Sequence, residues 1–238
     1  MKSGFYENLD INFEQAYEMS AKEFTHDELL DMLKNGNIPQ KQIAAMKISE
    51  VSEDEAEILI DNLTGCDGKI REAVALKINQ LLNSDDKYIE IFSKFCLPFA
   101  DASIDINGNI CRLVIESVGF LKNDKNFADK YLAKIFGFID EAFNGLDNIK
   151  FRDKKYTINK QLFKLYWCLE SLKHFSTDIE PEKLLPILER ASIEKEYTIR
   201  EKAAQILAGL KDSKYAVLKN NLMKDENYYV REVFNKIL

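Results

Sequence analysis

Apolar residues in Asp67–Leu82 (DGKIREAVALKINQLL) fall at Ile70, Ala73, Val74, Ile78, Leu81 and Leu82. Steps of three and four residues place them on one face of an α-helix. Ala75 and Leu76 widen that face, as a helix covered on more than one side requires. The design returns in Ile199–Leu210 (IREKAAQILAGL) and Val230–Leu238 (VREVFNKIL). Gln40–Val51 (QKQIAAMKISEV) is a weaker copy. Its Ile43, Ala44, Ile48 and Val51 sit thirty residues ahead of Ala73, Val74, Ile78 and Leu81.

The pattern between these copies predicts further helices, in pairs. A tail with one short helix near Asn12–Ala21 occupies residues 1–24. Residues 25–238 then read as a single repeat domain. The expected pairs are Thr25–Asn35 with a helix from Ile38; Glu53–Leu63 with Lys69–Leu82; Asp86–Ala100 with Ile106–Leu121; Asn126–Phe143 with Tyr156–Phe175; Glu180–Ala191 with Glu196–Leu210; and Asp212–Lys224 with Glu226–Leu238. Pro39 and Pro181 suit first turns, where a missing N–H costs nothing. Ser52 with Glu55 forms a capping box. Pro98 should end or kink its helix and Pro186 should bend its own. Asn144–Lys155 is the longest expected loop. Gly119 and Gly209 lie late in second helices, where close packing against the next pair would offset their helix cost of about 1 kcal/mol.

A basic column runs through the copies. Arg71, Arg200 and Arg231 follow the first face position, and Lys41 holds that slot in the weakest copy. Asp67, Glu196 or Asn227 stands four residues before each arginine. Asp and Asn there suit an N-cap, and an acid at that spacing can pair with the arginine. The column is therefore either a ladder tying one pair to the next or a row of ligand-binding cations.

Acidic residue or Asn, two residues, apolar residue, Arg, then small and apolar positions: this pattern resembles the second helix of HEAT repeats, in their short bacterial form. Asp67/Ile70/Arg71/Val74/Ala75, Glu196/Ile199/Arg200/Ala203/Ala204 and Asn227/Val230/Arg231 carry the resemblance. His26–Val51 is similar to a whole unit. The resemblance implies an all-α fold, a right-handed α-solenoid of about six HEAT-like antiparallel helix pairs. It also implies a surface lined by second helices that holds another macromolecule.

Composition narrows the possibilities. The net charge of −7 disfavours a general nucleic-acid binder, whose affinity rests on many cation–phosphate contacts. No apolar stretch is long enough for a membrane span. The start, MKSGFYENLDINFEQ, lacks the apolar centre of a signal peptide. Cys66, Cys96, Cys111 and Cys168 follow no metal spacing and read as reduced thiols of a cytoplasmic protein.

No catalytic signature emerges, so no catalytic residue, metal ligand or cofactor is expected. His26 and His174 are far apart, and no HExxH, CxxC or Gly-rich phosphate loop occurs. Cys168 and His174, six residues apart on one helix, would lie on opposite sides. Two HEAT-like functions other than plain scaffolding share the fold type. Alkylpurine DNA glycosylases place Trp and Asp one turn apart in a basic groove; here Ser171 lies one turn after Trp167, and Glu170 is the nearest carboxylate. The lyases and chaperones of phycobiliprotein assembly are similar in their repeats alone.

Two features mark a binding surface. The second helices carry more Lys and Arg than Glu, whereas the first helices are acidic, as EDEAEILID shows. Arg71, Arg112, Lys160, Lys164 and Arg200 are the candidate cations. Tyr166 and Trp167 are neighbours, so they cannot share one direction, and one should reach the groove. Phe151, Arg152, Lys154 and Lys155 on the long loop complete an aromatic and basic patch. The expected partner is a protein or peptide, acidic in character, held by a non-catalytic scaffold. The last helix ends on its apolar face, which leaves that face for a partner or for a homodimer.

Overall fold

The computed structural model describes residues 14, 15, 17–148 and 155–235, with the side chains of Lys155 and Tyr156 outside that description. Among the described residues every regular element is helical. The first pair is α1 (His26–Asn35) with α2 (Ile38–Lys47), and the second is α3 (Glu53–Leu63) with α4 (Gly68–Ser84). The third joins a broken first helix, α5 (Lys87–Phe92) and α6 (Cys96–Ala102), to α7 (Gly108–Leu121). The fourth is α8 (Lys125–Asp147) with α9 (Lys155–Leu172), the fifth α10 (Pro181–Ser192) with α11 (Tyr197–Gly209), and the sixth α12 (Ala216–Leu222) with α13 (Tyr228–Asn235). This is an α-solenoid architecture of stacked helix pairs.

The chain divides into two compact units, Met1–Ala128 and Asp129–Leu238. In the first unit α2 packs on α4 and α4 on α7, so second helices neighbour second helices. First helices do the same, α1 against α3 and α3 against α5 and α6. In the second unit α9, α11 and α13 form the layer of second helices, and α10 meets α12. Most of the apolar positions read from the sequence are buried, but Leu76, expected to widen the face of α4, is 41% exposed, and Ile70 and Ala73 are half-buried. Val74, Ile78, Leu81 and Leu82 of α4 are buried, as are Ile199, Ala203 and Leu207 of α11 and Val230 and Phe234 of α13.

Local chemistry sets the ends of the helices. Thr25 and Asn37 close reciprocal capping boxes with Glu28 and Gln40. The Ser52 N–H donates to the Glu55 carboxylate at 2.7 Å. Asp67 accepts from the amides of Lys69 and Ile70. Each of these satisfies helix-end donors that would otherwise lack partners.

Four details sharpen or correct the sequence expectation. The third pair's first helix breaks at Ser93–Phe95, in a 3-10 turn upstream of Pro98. Pro98 sits in the first turn of α6, where it needs no donor, and its ring is incompatible with a helical carbonyl four residues back, at Lys94. The helix α8 runs on to Asp147, so the loop before α9 is shorter than expected. Gly209 is open: a Cβ there would meet nothing within 4 Å, so close packing does not explain it. Pro186 lies inside an α10 that continues past it.

Gly36 is different. A Cβ there would lie 2.4 Å from the Met32 carbonyl oxygen and 2.8 Å from Gln40 Cβ. The α1–α2 turn would have to move to relieve that overlap. Gly36→Ala is expected to destabilise the first unit by about 1–3 kcal/mol, while Gly209→Ala should be neutral or stabilising. Urea unfolding of both variants checks the contrast.

Candidate functional site

The basic column is built into the fold. Arg71 donates from Nη1 to the carbonyls of Gly65 and Cys66, at 2.9 Å each, in the turn before its own helix. Its Nε and Nη2 grip the Asp105 carboxylate of the next pair at 2.6 and 3.2 Å. Arg200 repeats this. Nη1 meets the carbonyls of Glu194 and Lys195, while Nε and Nη2 reach Asp225 at 2.7 and 3.0 Å. Arg231 holds the carbonyls of Asp225 and Glu226. The arginines do not pair with the residue four positions earlier; the acid comes from the following turn. Asp105 and Asp225 in turn accept the amides of Asn107 and Asn227. A planar fork suits this bidentate bridging. Asp225 is held below its ordinary carboxylate range, first by the Arg200 hydrogen bond, against an opposing effect of burial.

In the third pair Cys111 stands at the arginine slot. Its thiol donates to the Asp105 carbonyl at 3.0 Å, and burial, reinforced by the Asp105 charge, pushes it up to about 12. That thiol is not a nucleophile.

The outer side of the second-helix layer is clearest in the second unit. The contacts Glu170–Lys202 and Lys173–Gln205 both span 32 residues and fix the register of α9 on α11. Tyr197 of α11 stacks on Tyr229 of α13 with centroids 6.0 Å apart, the same interval again. This register sets Leu165 of α9 level with Tyr197 and Tyr229, with Phe163 two residues before that level and Trp167 two after it. Phe163 is exposed and meets Trp167 edge-on at 6.0 Å; Tyr166 meets Trp167 at 5.1 Å. Trp167 is half-buried, and its buried Nε1 has no hydrogen-bond partner among the described residues. Tyr228 packs on Tyr229, and both are exposed by more than half (58% and 59%). Aromatic side chains thus lie within about two residues of one level on three helices: Phe163 and Trp167 in one cluster, and Tyr197, Tyr229 and Tyr228 in another.

Charges on this side are largely committed. Glu170 accepts from Lys173 at 2.6 Å and Lys202 at 2.5 Å, and Lys202 lies over the Tyr166 ring at 4.6 Å. Burial pushes the Glu170 carboxyl up, but the two lysines outweigh it and the net shift is downward. Glu170 is therefore an ion-pair centre rather than a proton donor near neutrality. Lys164 pairs with Glu141 at 2.9 Å. Lys160 and, in the first unit, Arg112 are exposed.

The expected residues thus separate. Tyr166, Trp167, Lys160 and Lys164 come together on α9, while Arg71 and Arg200 face internal acceptors. Phe151, Arg152 and Lys154 lie outside the described residues, as does the Lys155 side chain. The end of the last helix, at 236–238, does too. Sequence reasoning missed Phe163 as an exposed group and the Tyr197–Tyr229–Tyr228 cluster. Among the described residues no group of His, Cys, Asp and Glu is placed to hold a metal, and no helix is long and apolar enough to cross a membrane.

No protein-family model matches the chain, and no curated protein does. Solved structures do resemble it. An engineered protein aligns over 91% of this chain and 98% of its own, with a TM-score of 0.55 at 11% identity. A computationally designed armadillo-repeat protein for modular peptide recognition aligns over 88% and 96%, with a TM-score of 0.51 at 9% identity. A designed armadillo-repeat protein in complex with the peptide (KR)4 covers the same shares, with a TM-score of 0.52 at 10% identity. At such identities the likeness concerns the fold: a helical repeat solenoid of armadillo type.

Proposed function

We propose that this chain is a non-catalytic, HEAT-type scaffold that binds a peptide segment of another protein across α9, α11 and α13. One observation carries the reading: aromatic side chains of α9, α11 and α13 lie within about two residues of one level along the layer. An extended peptide crossing the layer would meet one anchor per helix. Tyr and Trp are favoured anchors because they give large contact area at low entropy cost. The repeat-specific arginines support the HEAT assignment, since each locks a turn to the next pair. Similar folds designed for peptide recognition are consistent with this use of the architecture. The partner we propose carries an apolar anchor flanked by acidic residues, which Lys160 would meet. A cytoplasmic setting fits the free cysteines.

The test is selection of binding peptides from a displayed library, followed by titration of the best one. Phe163→Ala and Tyr229→Ala are each expected to weaken it at least about tenfold, without loss of helicity. Arg112→Ala, in the other unit, should leave it unchanged. Peptides that bind all three variants equally, or a chain that selects nucleic acid instead, would remove this reading.

A further inference from the structure

In the first unit the arginine–carboxylate ladder is interrupted, and a cleft lies at the interruption. The ladder has two fixed positions. Its cation lies four residues after a helix N-cap: Arg71 after Asp67 and Arg200 after Glu196. Its acid lies two residues before an N-cap residue in the next pair: Asp105 before Asn107, and Asp225 before Asn227. At the junction of the first and second pairs the cation slot holds Lys41, four after Asn37. The acid slot, two before Asp67, holds Gly65. Gly65 offers no carboxylate where Asp105 and Asp225 offer one at their junctions. Lys41 turns instead to the Asn62 side chain, donating to Oδ1 at 3.0 Å. Asn62 is itself buried and gives its amide hydrogens to the carbonyls of Leu33 and Ile58.

Lys41, Asn62 and Gly65 line a cleft of about 540 Å³ whose other walls include Leu33, Ile58 and Ile70. Its size and mixed lining are those of a small-molecule site. Two acids also line it, but Asp67 is turned onto its helix amides and Asp61 is exposed. Lys34 is a second lysine on the rim, and Arg71 holds the Gly65 and Cys66 carbonyls on the near side.

We infer that this cleft binds a carboxylate ligand with an apolar tail, its carboxylate taking the position that Asp105 and Asp225 fill elsewhere. Lys41 supplies the charge-assisted hydrogen bond. Leu33, Ile58 and Ile70 receive the tail. The inference stands apart from the peptide surface of the second unit and does not depend on it.

Gly65 makes the idea testable from within. A Cβ at Gly65 meets only ordinary contacts, the nearest being the Asn62 carbonyl oxygen at 3.4 Å, and its backbone is not in the left-handed region. Gly65→Asp would therefore place the missing carboxylate in the protein itself. The probes are 3-methylbutyrate, and a short peptide ending in leucine with a free carboxylate, compared with its amide. Binding is read on the full chain from amide chemical shifts of Gly65, Cys66 and Asn62, and from melting temperature. Wild type should respond to the acids and not to the amide. Lys41→Met should weaken the response at least about tenfold. Gly65→Asp should raise the melting temperature and remove the response. A response to the peptide acid alone assigns a chain terminus as ligand; a response to both acids assigns the carboxylate with its tail. If wild type responds to neither acid, or if Lys41→Met responds as wild type does, the inference is overturned, whether or not Gly65→Asp folds.

Discussion

Arg200→Ala is expected to destabilise the second unit by about 3–5 kcal/mol, the usual cost of breaking a buried ion pair from one side. Arg200 is 7% exposed and the Asp225 side chain 8%. Its removal leaves a carboxylate without its counterion and takes the donor from the carbonyls of Glu194 and Lys195. Arg200→Lys should recover only part of the loss, because an ammonium cannot reach Asp225 with two parallel donors while also holding the turn. In a repeat array each pair rests on its neighbours, so the damage should be local. Hydrogen exchange should show α12 and α13 losing protection while α1–α4 keep theirs. The pH dependence follows from Asp225. Its folded pKa lies below the ordinary 3.8, so its contribution is present above that value and is lost as pH falls through the folded one. Arg200→Ala removes this acid limb by bringing Asp225 back toward or above its ordinary value. A variant within about 1 kcal/mol of wild type at neutral pH would mean that the ladder holds nothing together.

The pairs were legible from the sequence because their signals are local. Periodic apolar faces, Ser52 with Glu55, Asn37 before Pro39 and Asp67 before Ile70 each act within a few residues. The ladder was only half legible. The arginines showed as a column, but their acids lie 34 and 25 residues downstream, beyond the reach of helix-spacing rules. A signal did exist: Asp105-Ile-Asn107 and Asp225-Glu-Asn227 repeat one motif ahead of two second helices. Once that motif is seen, Gly65-Cys66-Asp67 stands out as the exception. The aromatic row was hidden for another reason. Phe163 has the same chemistry as a core residue, and Tyr197, Tyr228 and Tyr229 sit in first turns, where periodicity is weakest. Only the 32-residue register between helices brings them within about two residues of one level. Counting charges misled as well, because Lys164, Lys173, Lys202, Arg71 and Arg200 are tied to Glu141, Glu170, Asp105 and Asp225.

The break in the third pair sets the second large effect. Phe92 and Phe99 are seven residues apart and both fully buried, on either side of the 3-10 turn at Ser93–Phe95. A continuous helix through Pro98 would lose the hydrogen bond to Lys94 and force the ring against its carbonyl. The turn avoids that cost, and the two rings then meet edge-on with centroids 6.4 Å apart. Phe99 also packs edge-on against Phe127 at 5.9 Å. Phe99 is thus the middle of a three-ring stack that holds two short helices, neither of which has the length to be stable alone. Phe99→Ala should cost about 3–5 kcal/mol, from lost transfer energy and the cavity left behind. Phe99→Leu keeps most of the volume and should cost less than half of that. Leu97, two residues away and 52% exposed, is the control: Leu97→Ala should change stability by about 0.5 kcal/mol or less. Urea unfolding at neutral pH compares the three. If Phe99→Ala and Leu97→Ala unfold alike, the stack does not hold the broken helix, and the backbone turn at Ser93–Phe95 must be stable without it.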